Sequence, residues 1–203
     1  MMLYLASRSP RRRRLLRQLG RPFRVVRSTH RESIRVHESP SANAMRNAAG
    51  KARRAVVPPD ATGIVLGADT FLYFHGRILG KPRSLAHAYR MLAALSGKSH
   101  WVYTGLGLRD LATGRCRRSY AKTRVTFQPL PRATIRRLFA RVSPLDKAGG
   151  YALQADRGEL LARLEGSRTN VIGLPLELLC RELRQMALAP RVRLGQRRRS
   201  RSR

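Results

Sequence analysis

Residues 64–82, IVLGADTFLYFHGRILGKP, leave little choice of local structure. Ile64-Val65-Leu66 is a short apolar run that ends in Gly67-Ala68, and a single acid, Asp69, follows with Thr70. A second run, Phe71-Leu72-Tyr73-Phe74, turns at His75-Gly76 and returns through Ile78-Leu79 to Gly80-Lys81-Pro82. Apolar, β-rich runs this short and punctuated by glycine predict strands. An acid at the carboxyl end of a buried strand stands where open α/β sheets carry their chemistry. The same Asp can equally do no more than cap a loop. His75 is expected to be an exposed turn residue.

The flanking sequence supplies strands and helices in alternation. Leu3-Tyr4-Leu5-Ala6 predicts a first strand, and Ser9-Pro10 a helix start, with Ser9 as N-cap and Pro10 in the first helical position. Leu15, Leu16 and Leu19 give that helix one apolar face and Gly20 stops it. A loop running from a strand into a helix N-terminus presents free N–H groups, and here it adds two hydroxyls and several guanidinium groups, which suits an anion. Phe23–Val26 predicts a second strand, and 27–40 a polar loop carrying His30 and Glu32. Ser41 is expected to cap an Ala-rich helix running to about Val57 that carries Lys51. Further on come a helix over 84–95, a hairpin over 100–128, and a helix from Pro131. A Gly-rich ligand loop spans 143–151, with Asp146 beside Lys147. Strands are expected through Leu153-Gln154 and over Glu159–Leu164. The last helix has Leu176, Leu179, Leu183 and Ala187 on its buried side. Trp101 and Tyr103 are assigned to packing.

With 203 residues and 42% hydrophobic content, the chain fits one globular domain over 1–189, followed by a basic tail over 190–203 that is expected to be disordered. No apolar run is long enough to span a bilayer, and Met1–Leu5 is too short for a signal peptide, so a soluble cytoplasmic protein is expected. Two cysteines make neither a disulfide framework nor a metal knuckle. The net charge of +32 predicts salt-sensitive, non-specific attraction to polyanions. Arginine is spread along the whole chain, whereas lysine stands at only five positions, 51, 81, 98, 122 and 147. Lys is a compact point charge and Arg a rigid fork, so a Lys kept amid so many Arg marks a place where a fork does not serve. Only 11 acids are available as bases or metal ligands.

Seven segments, in order and at matching spacing, resemble the Maf family of nucleoside triphosphate pyrophosphatases, also called septum-formation inhibitors. They are LASRSPRRRRLL at 5–16, KA at 51–52, GADT at 67–70, LGKPR at 79–83, MLAALSGKSHWVYTGL at 91–106, PLDKAGGYALQ at 144–154 and EGSRTNVIGLPLE at 165–177. The resemblance implies an α/β fold like that of inosine triphosphate pyrophosphatases, a mixed, strongly twisted sheet with flanking helices and two lobes around a central cleft. It implies hydrolysis of a nucleoside triphosphate to monophosphate and pyrophosphate with a divalent cation, Mg or Mn, in a homodimer. Asp69 matches the family's proton acceptor. Arg11, Thr70 and Gln154 match positions that are similar in the branch acting on dTTP and UTP. A sister branch acting on 7-methyl-GTP has Trp, Gln and Glu there. Three positions depart from the pattern: Arg31-Glu32 replaces a pair of acids, Ser143 a Glu, and Ala155 a Gly.

On this resemblance Ser7, Arg12, Lys51, Lys81 and Lys147 surround the phosphates, and Asp146 fixes its loop. Asp69, with Glu32, holds the metal; Asp69 also takes the proton of the attacking water. Thr70, Arg11 and Gln154 face the base, where Gln154 can match the donor and acceptor edge of a pyrimidine. The competing reading is a basic nucleic-acid-binding protein. Against it, basic residues are not interleaved with aromatics along the chain, and no nucleic-acid-binding motif appears.

Overall fold

The structure, a computed structural model, describes residues 1–188; the 190–203 tail lies outside them. Seven strands form one open, mixed sheet: β1 (Leu3–Leu5), β2 (Phe23–Val25), β3 (Ile64–Phe74), β4 (Arg77–Leu79), β5 (Ser99–Asp110), β6 (Cys116–Phe127) and β7 (Leu161–Glu165). Their order is β2-β1-β3-β5-β6-β7, with β4 also on β3. The β2, β1 and β3 strands run parallel, and every later pairing is antiparallel. The helices are α1 (Pro10–Arg17), α2 (Pro40–Arg53), α3 (Leu85–Leu95), α4 (Arg132–Arg141), α5 (Arg168–Ile172) and α6 (Leu176–Leu188). None among the described residues is long and apolar enough to cross a membrane.

The two apolar runs around Asp69 form one strand of 11 residues. Asp69 therefore sits mid-strand, opposite Gly105 of β5, and not at a strand end. The carboxyl-end position holds in another sense: β1 pairs with β3 only as far as Leu66, and Asp69 lies just beyond. On the same edge β4 pairs only with Leu72–Phe74. Between Leu66 and Leu72 the edge of β3 thus has no strand neighbour, while its other edge is fully paired with β5.

One face of the sheet carries α1 and α6 over Leu66, Leu106 and Leu108, and further along α3 and α4 over Leu72, Val102 and Val125. The opposite face carries α2. That helix is rich in alanine because it lies unusually close: a Cβ on Gly67 would fall 2.1 Å from Ala48 O, on Gly105 2.3 Å from Ala44 O, and on Gly107 2.5 Å from Ala49 N. The Gly67 that looked like a strand terminator is a place of contact between strand and helix backbone.

Several local expectations change. Ser39, not Ser41, caps α2, accepting from Ala42 N at 3.2 Å, because Pro40 takes the first helical position. The helix stops at Arg53, and Ala55 pairs back to Ser28. Leu153-Gln154 belongs to a 3-10 turn (Leu153–Ala155), and the next strand starts at Leu161. Asp156 draws that turn tight, its Oδ1 accepting from the N–H groups of Gly158, Glu159 and Leu160 at 2.9–3.0 Å. Five residues after the Gly166-Ser167 turn form α5, capped by Ser167. In α6 Ala187 is exposed, and Leu178 and Met186 join Leu179 and Leu183 in the core.

Candidate active site

The unpaired stretch of β3 opens into a cleft of about 1030 Å³. Successive strand residues point to opposite faces, so Asp69 faces the α2 side and Thr70 the α1 side. Both line this one cleft because no strand closes the edge between them. Ser7, Arg11, Arg12, Lys51, Lys81, Glu32, Asp146 and Lys147 line it as well, and so does Gln154. Every site residue expected from the sequence is brought to one place.

Asp69 is 4% exposed and held on two sides by α2. Lys51 Nζ donates to its Oδ1 at 2.7 Å, and Asn47 Nδ2 to its Oδ2 at 2.9 Å. The same ammonium donates to Ala68 O at 3.0 Å and meets Glu32 Oε1 at 2.6 Å. Ala68 O is one of the backbone acceptors on the open edge, and Lys51 satisfies it in place of a strand. The three protons of the ammonium thus have three acceptors converging on one atom, a geometry no planar fork reproduces. Burial alone would raise the Glu32 carboxyl, but Lys51, with Lys81 and Arg12 further off, holds it below the usual carboxylate range.

On the other face Arg12 joins three segments. Its Nε donates to Gly173 O at 2.7 Å, Nη1 to Ser7 Oγ at 3.2 Å and Nη2 to Thr70 Oγ1 at 2.9 Å. Burial lowers the Arg12 pKa, and the charges of Asp69 and Glu32 offset part of that. Thr70 Oγ1 is also within 3.0 Å of Thr104 Oγ1, which donates to Asn170 O at 3.0 Å, so the threonine is tied into the sheet. Arg11 reaches across the cleft to Asp146, Nη1 to Oδ2 at 2.6 Å and Nη2 to the backbone O at 3.1 Å. Lys147, expected at the phosphates, is 7% exposed and donates to Ser143 O at 2.6 Å and to Asp146, so it ties its own loop. Burial works to raise the Asp146 carboxyl, and the bonds from Lys147 and Arg11 outweigh it. Lys81 and Gln154 are exposed in the cleft.

Two residues not picked out from the sequence belong to the site. Asn47 is fully buried. Besides holding Asp69 it donates to Ser33 O at 3.1 Å, accepts from Ser33 N at 3.3 Å, and its Oδ1 lies 3.2 Å from His30 Nε2. It thereby fixes the loop that carries Glu32. His30, noted only as a loop residue, lies over Gly50, where a Cβ would fall 2.3 Å from its ring. The signal for Asn47 is its spacing: it stands four residues before Lys51, hence on the same helical face. Among the described residues no group of three or more His, Cys, Asp or Glu side chains is arranged to hold a metal.

The chain is 47% identical over 174 residues to the dTTP/UTP pyrophosphatase of Moorella thermoacetica, covering 86% of this chain and 89% of that protein. It is 43% identical over 183 residues to the dTTP/UTP pyrophosphatase of Bacillus cereus strain ATCC 10987, covering 90% and 89%. With that of Bacillus anthracis strain CDC 684 it shares 42% over 183 residues, covering 90% and 94%. The family model described as "Maf-like protein" matches residues 2–186, which takes in the whole sheet, the cleft and every residue that lines it: the chain belongs to the Maf family.

Proposed function

We propose that the cleft binds a nucleoside triphosphate, dTTP or UTP before others, and hydrolyses it to the monophosphate and pyrophosphate. The observation that carries this reading is Asp69: a buried carboxylate held by Lys51 and Asn47, opening at the sheet edge into a cleft lined by Arg and Lys. A water oxygen attacks the α-phosphorus, and its bond forms as the bond to the bridging oxygen breaks. The electron pair leaves with pyrophosphate, and Asp69 takes the water proton. Positioning and charge stabilisation supply most of the rate. Lys81, exposed in the cleft, meets the triphosphate, and Arg12 holds Ser7, Thr70 and the Gly173 carbonyl in place around it. Gln154, exposed on its 3-10 turn, is free to meet the base. The preference for dTTP and UTP rests on the names of the relatives and on Arg11, Thr70 and Gln154.

The donor set fits a divalent cation of the Mg type. Such an ion takes one or two carboxylates and fills its remaining positions with water and substrate phosphate. Asp69 and Glu32 would supply the two carboxylates, which stand close enough together to share the Lys51 ammonium. Bound there, the ion would polarise a phosphoryl oxygen and the water. Pyrophosphate release from dTTP, UTP, CTP and 7-methyl-GTP, measured with and without a chelator, tests the reading. The expected outcome is metal-dependent turnover of dTTP and UTP, lowered about 100-fold or more by Asp69→Asn with folding intact. Turnover by Asp69→Asn within a few-fold of the native rate would overturn the role given to Asp69.

A further inference from the structure

The face of the sheet that carries α2 is left uncovered where the long strands run past the start of that helix, and what it shows there is aromatic and basic. The register places Tyr73 opposite Trp101, Trp101 opposite Arg124, Tyr103 opposite Lys122 and Gly105 opposite Tyr120. Directly paired residues share a face. These side chains therefore share the face of Gly105, where α2 lies. Tyr73, Trp101 and Tyr103 are half-buried, Tyr120 is 43% exposed, and Lys122 and Arg124 are exposed. The ring centroids of Tyr103 and Tyr120 are 6.3 Å apart with planes tilted 32°, Tyr73 meets Tyr103 edge-on at 6.3 Å, and the Lys122 ammonium lies 5.1 Å from the Trp101 centroid. The assignment of Trp101 and Tyr103 to packing is thus incomplete. Along the chain basic residues and aromatics do not alternate, but the sheet pairs them across strands at two register steps, Trp101 with Arg124 and Tyr103 with Lys122.

We propose that this face is a stacking platform for single-stranded nucleic acid. A solvated antiparallel sheet face is normally polar, so rings at neighbouring positions on three strands call for a partner with flat apolar faces. Adjacent strands lie about 4.8 Å apart, so rings on β3, β5 and β6 span about 10 Å, room for two or three unstacked bases. Lys122 and Arg124 stand beside the rings to meet the phosphates, and a base on Trp101 takes the place of the Lys122 ammonium over that ring. Charge selects the partner. Glu165, opposite Arg124, is held by Arg163 at 3.2 Å, which leaves this face basic. A second copy packed by an isologous contact would bring Lys122 and Arg124 of both chains onto one patch. A polyanion with π-faces complements both features. None of the four rings lines the nucleotide cleft, so the platform acts independently of hydrolysis there.

Trp101 is the sole tryptophan of the chain, so the site reports on itself. The full-length protein is titrated with a short fluorescein-labelled oligothymidylate between about 50 and 200 mM salt, following anisotropy and tryptophan emission together. Quenching of Trp101 is expected to track binding. Tyr120→Ala is expected to weaken binding about tenfold at every salt concentration with the salt slope unchanged, and Tyr120→Phe to restore it. Arg124→Gln is expected to reduce the slope by about 0.7. Nucleotide hydrolysis by Tyr120→Ala stays native, which shows that the variant folds. Equal affinity of Tyr120→Ala and native protein, or Trp101 emission unmoved at saturation, would reduce the binding to general charge and overturn the proposal. So would quenching that follows protein concentration without oligonucleotide, together with a dimer in sedimentation, which would give this face to a second copy.

Discussion

At the scale of single residues the site turns on which group holds which. Lys51 offers three protons to Asp69, Glu32 and Ala68 O, so one side chain pairs with two carboxylates and satisfies a strand-edge carbonyl. The sequence made Lys51 and Asp69 legible through scarcity, since lysines and acids are few in this chain. For Asn47 the only sign was its place four residues before Lys51, easily passed over because a polar residue on an Ala-rich helix looks like its solvated side until the glycines beneath are known. Asn47 acts on the reaction through Asp69 and is a positioning residue. Asn47→Ala removes the donor to Asp69 Oδ2 and frees the Ser33 loop, at a cost of about 1–3 kcal/mol in stability. The expected outcome is a kcat lowered about tenfold or more with KM changed little, because the substrate contacts remain while the base is loosened. Steady-state pyrophosphate release beside a urea melt separates the two effects. An unchanged kcat in a less stable protein would leave Asn47 a purely structural role.

At the scale of elements the chemistry depends on how near α2 comes to the sheet. Asn47 and Lys51 reach Asp69 because Gly67, Gly105 and Gly107 let the helix backbone down onto the strands. Gly105→Ala puts a methyl group 2.3 Å from Ala44 C and O, both backbone atoms that cannot rotate away. The helix must lift, with an expected loss of about 3 kcal/mol from overpacking. Activity should fall further than stability predicts, since Lys51 and Asn47 rise with the helix; urea midpoints and turnover measured on the same sample check this. Elements with a plain period and a cap, such as α3 with Ser84 and the β5–β6 hairpin, were legible in the sequence. Those set by tertiary contact were not. Gly67 looks like a strand terminator unless the approaching helix is known, and α5 is too short at five residues to show a period. The open edge of β3 is a property of pairing between segments distant in sequence, which no local pattern contains.

The whole molecule carries its charge and its buried ionisable groups as one balance, and pH moves both. His100 is 1% exposed, its Nε2 lies 2.9 Å from Tyr151 Oη, and its ring packs edge-on to Phe127 at 4.7 Å. Burial lowers its pKa to about 4 and raises that of the Tyr151 phenol, so both are neutral in the fold near pH 7. An unfolded histidine titrates near about 6.5. Between the two values the unfolded chain binds the extra proton, so stability rises with pH across that window. The contribution is fully present above about 6.5 and is lost as the pH falls towards about 4, amounting to about 3 kcal/mol over the whole span. Carboxylates held low by partners, such as Glu32 and Asp146, act in the same direction but only below about 4.5. Each proton taken up also adds to a chain already at +32. Urea unfolding at fixed ionic strength is therefore expected to lose about 1–2 kcal/mol between pH 7 and pH 5. His100→Gln, which cannot take up a proton, is expected to start lower and lose little over the same range. An equal slope in native and variant protein would assign the acid sensitivity to the overall charge and not to His100.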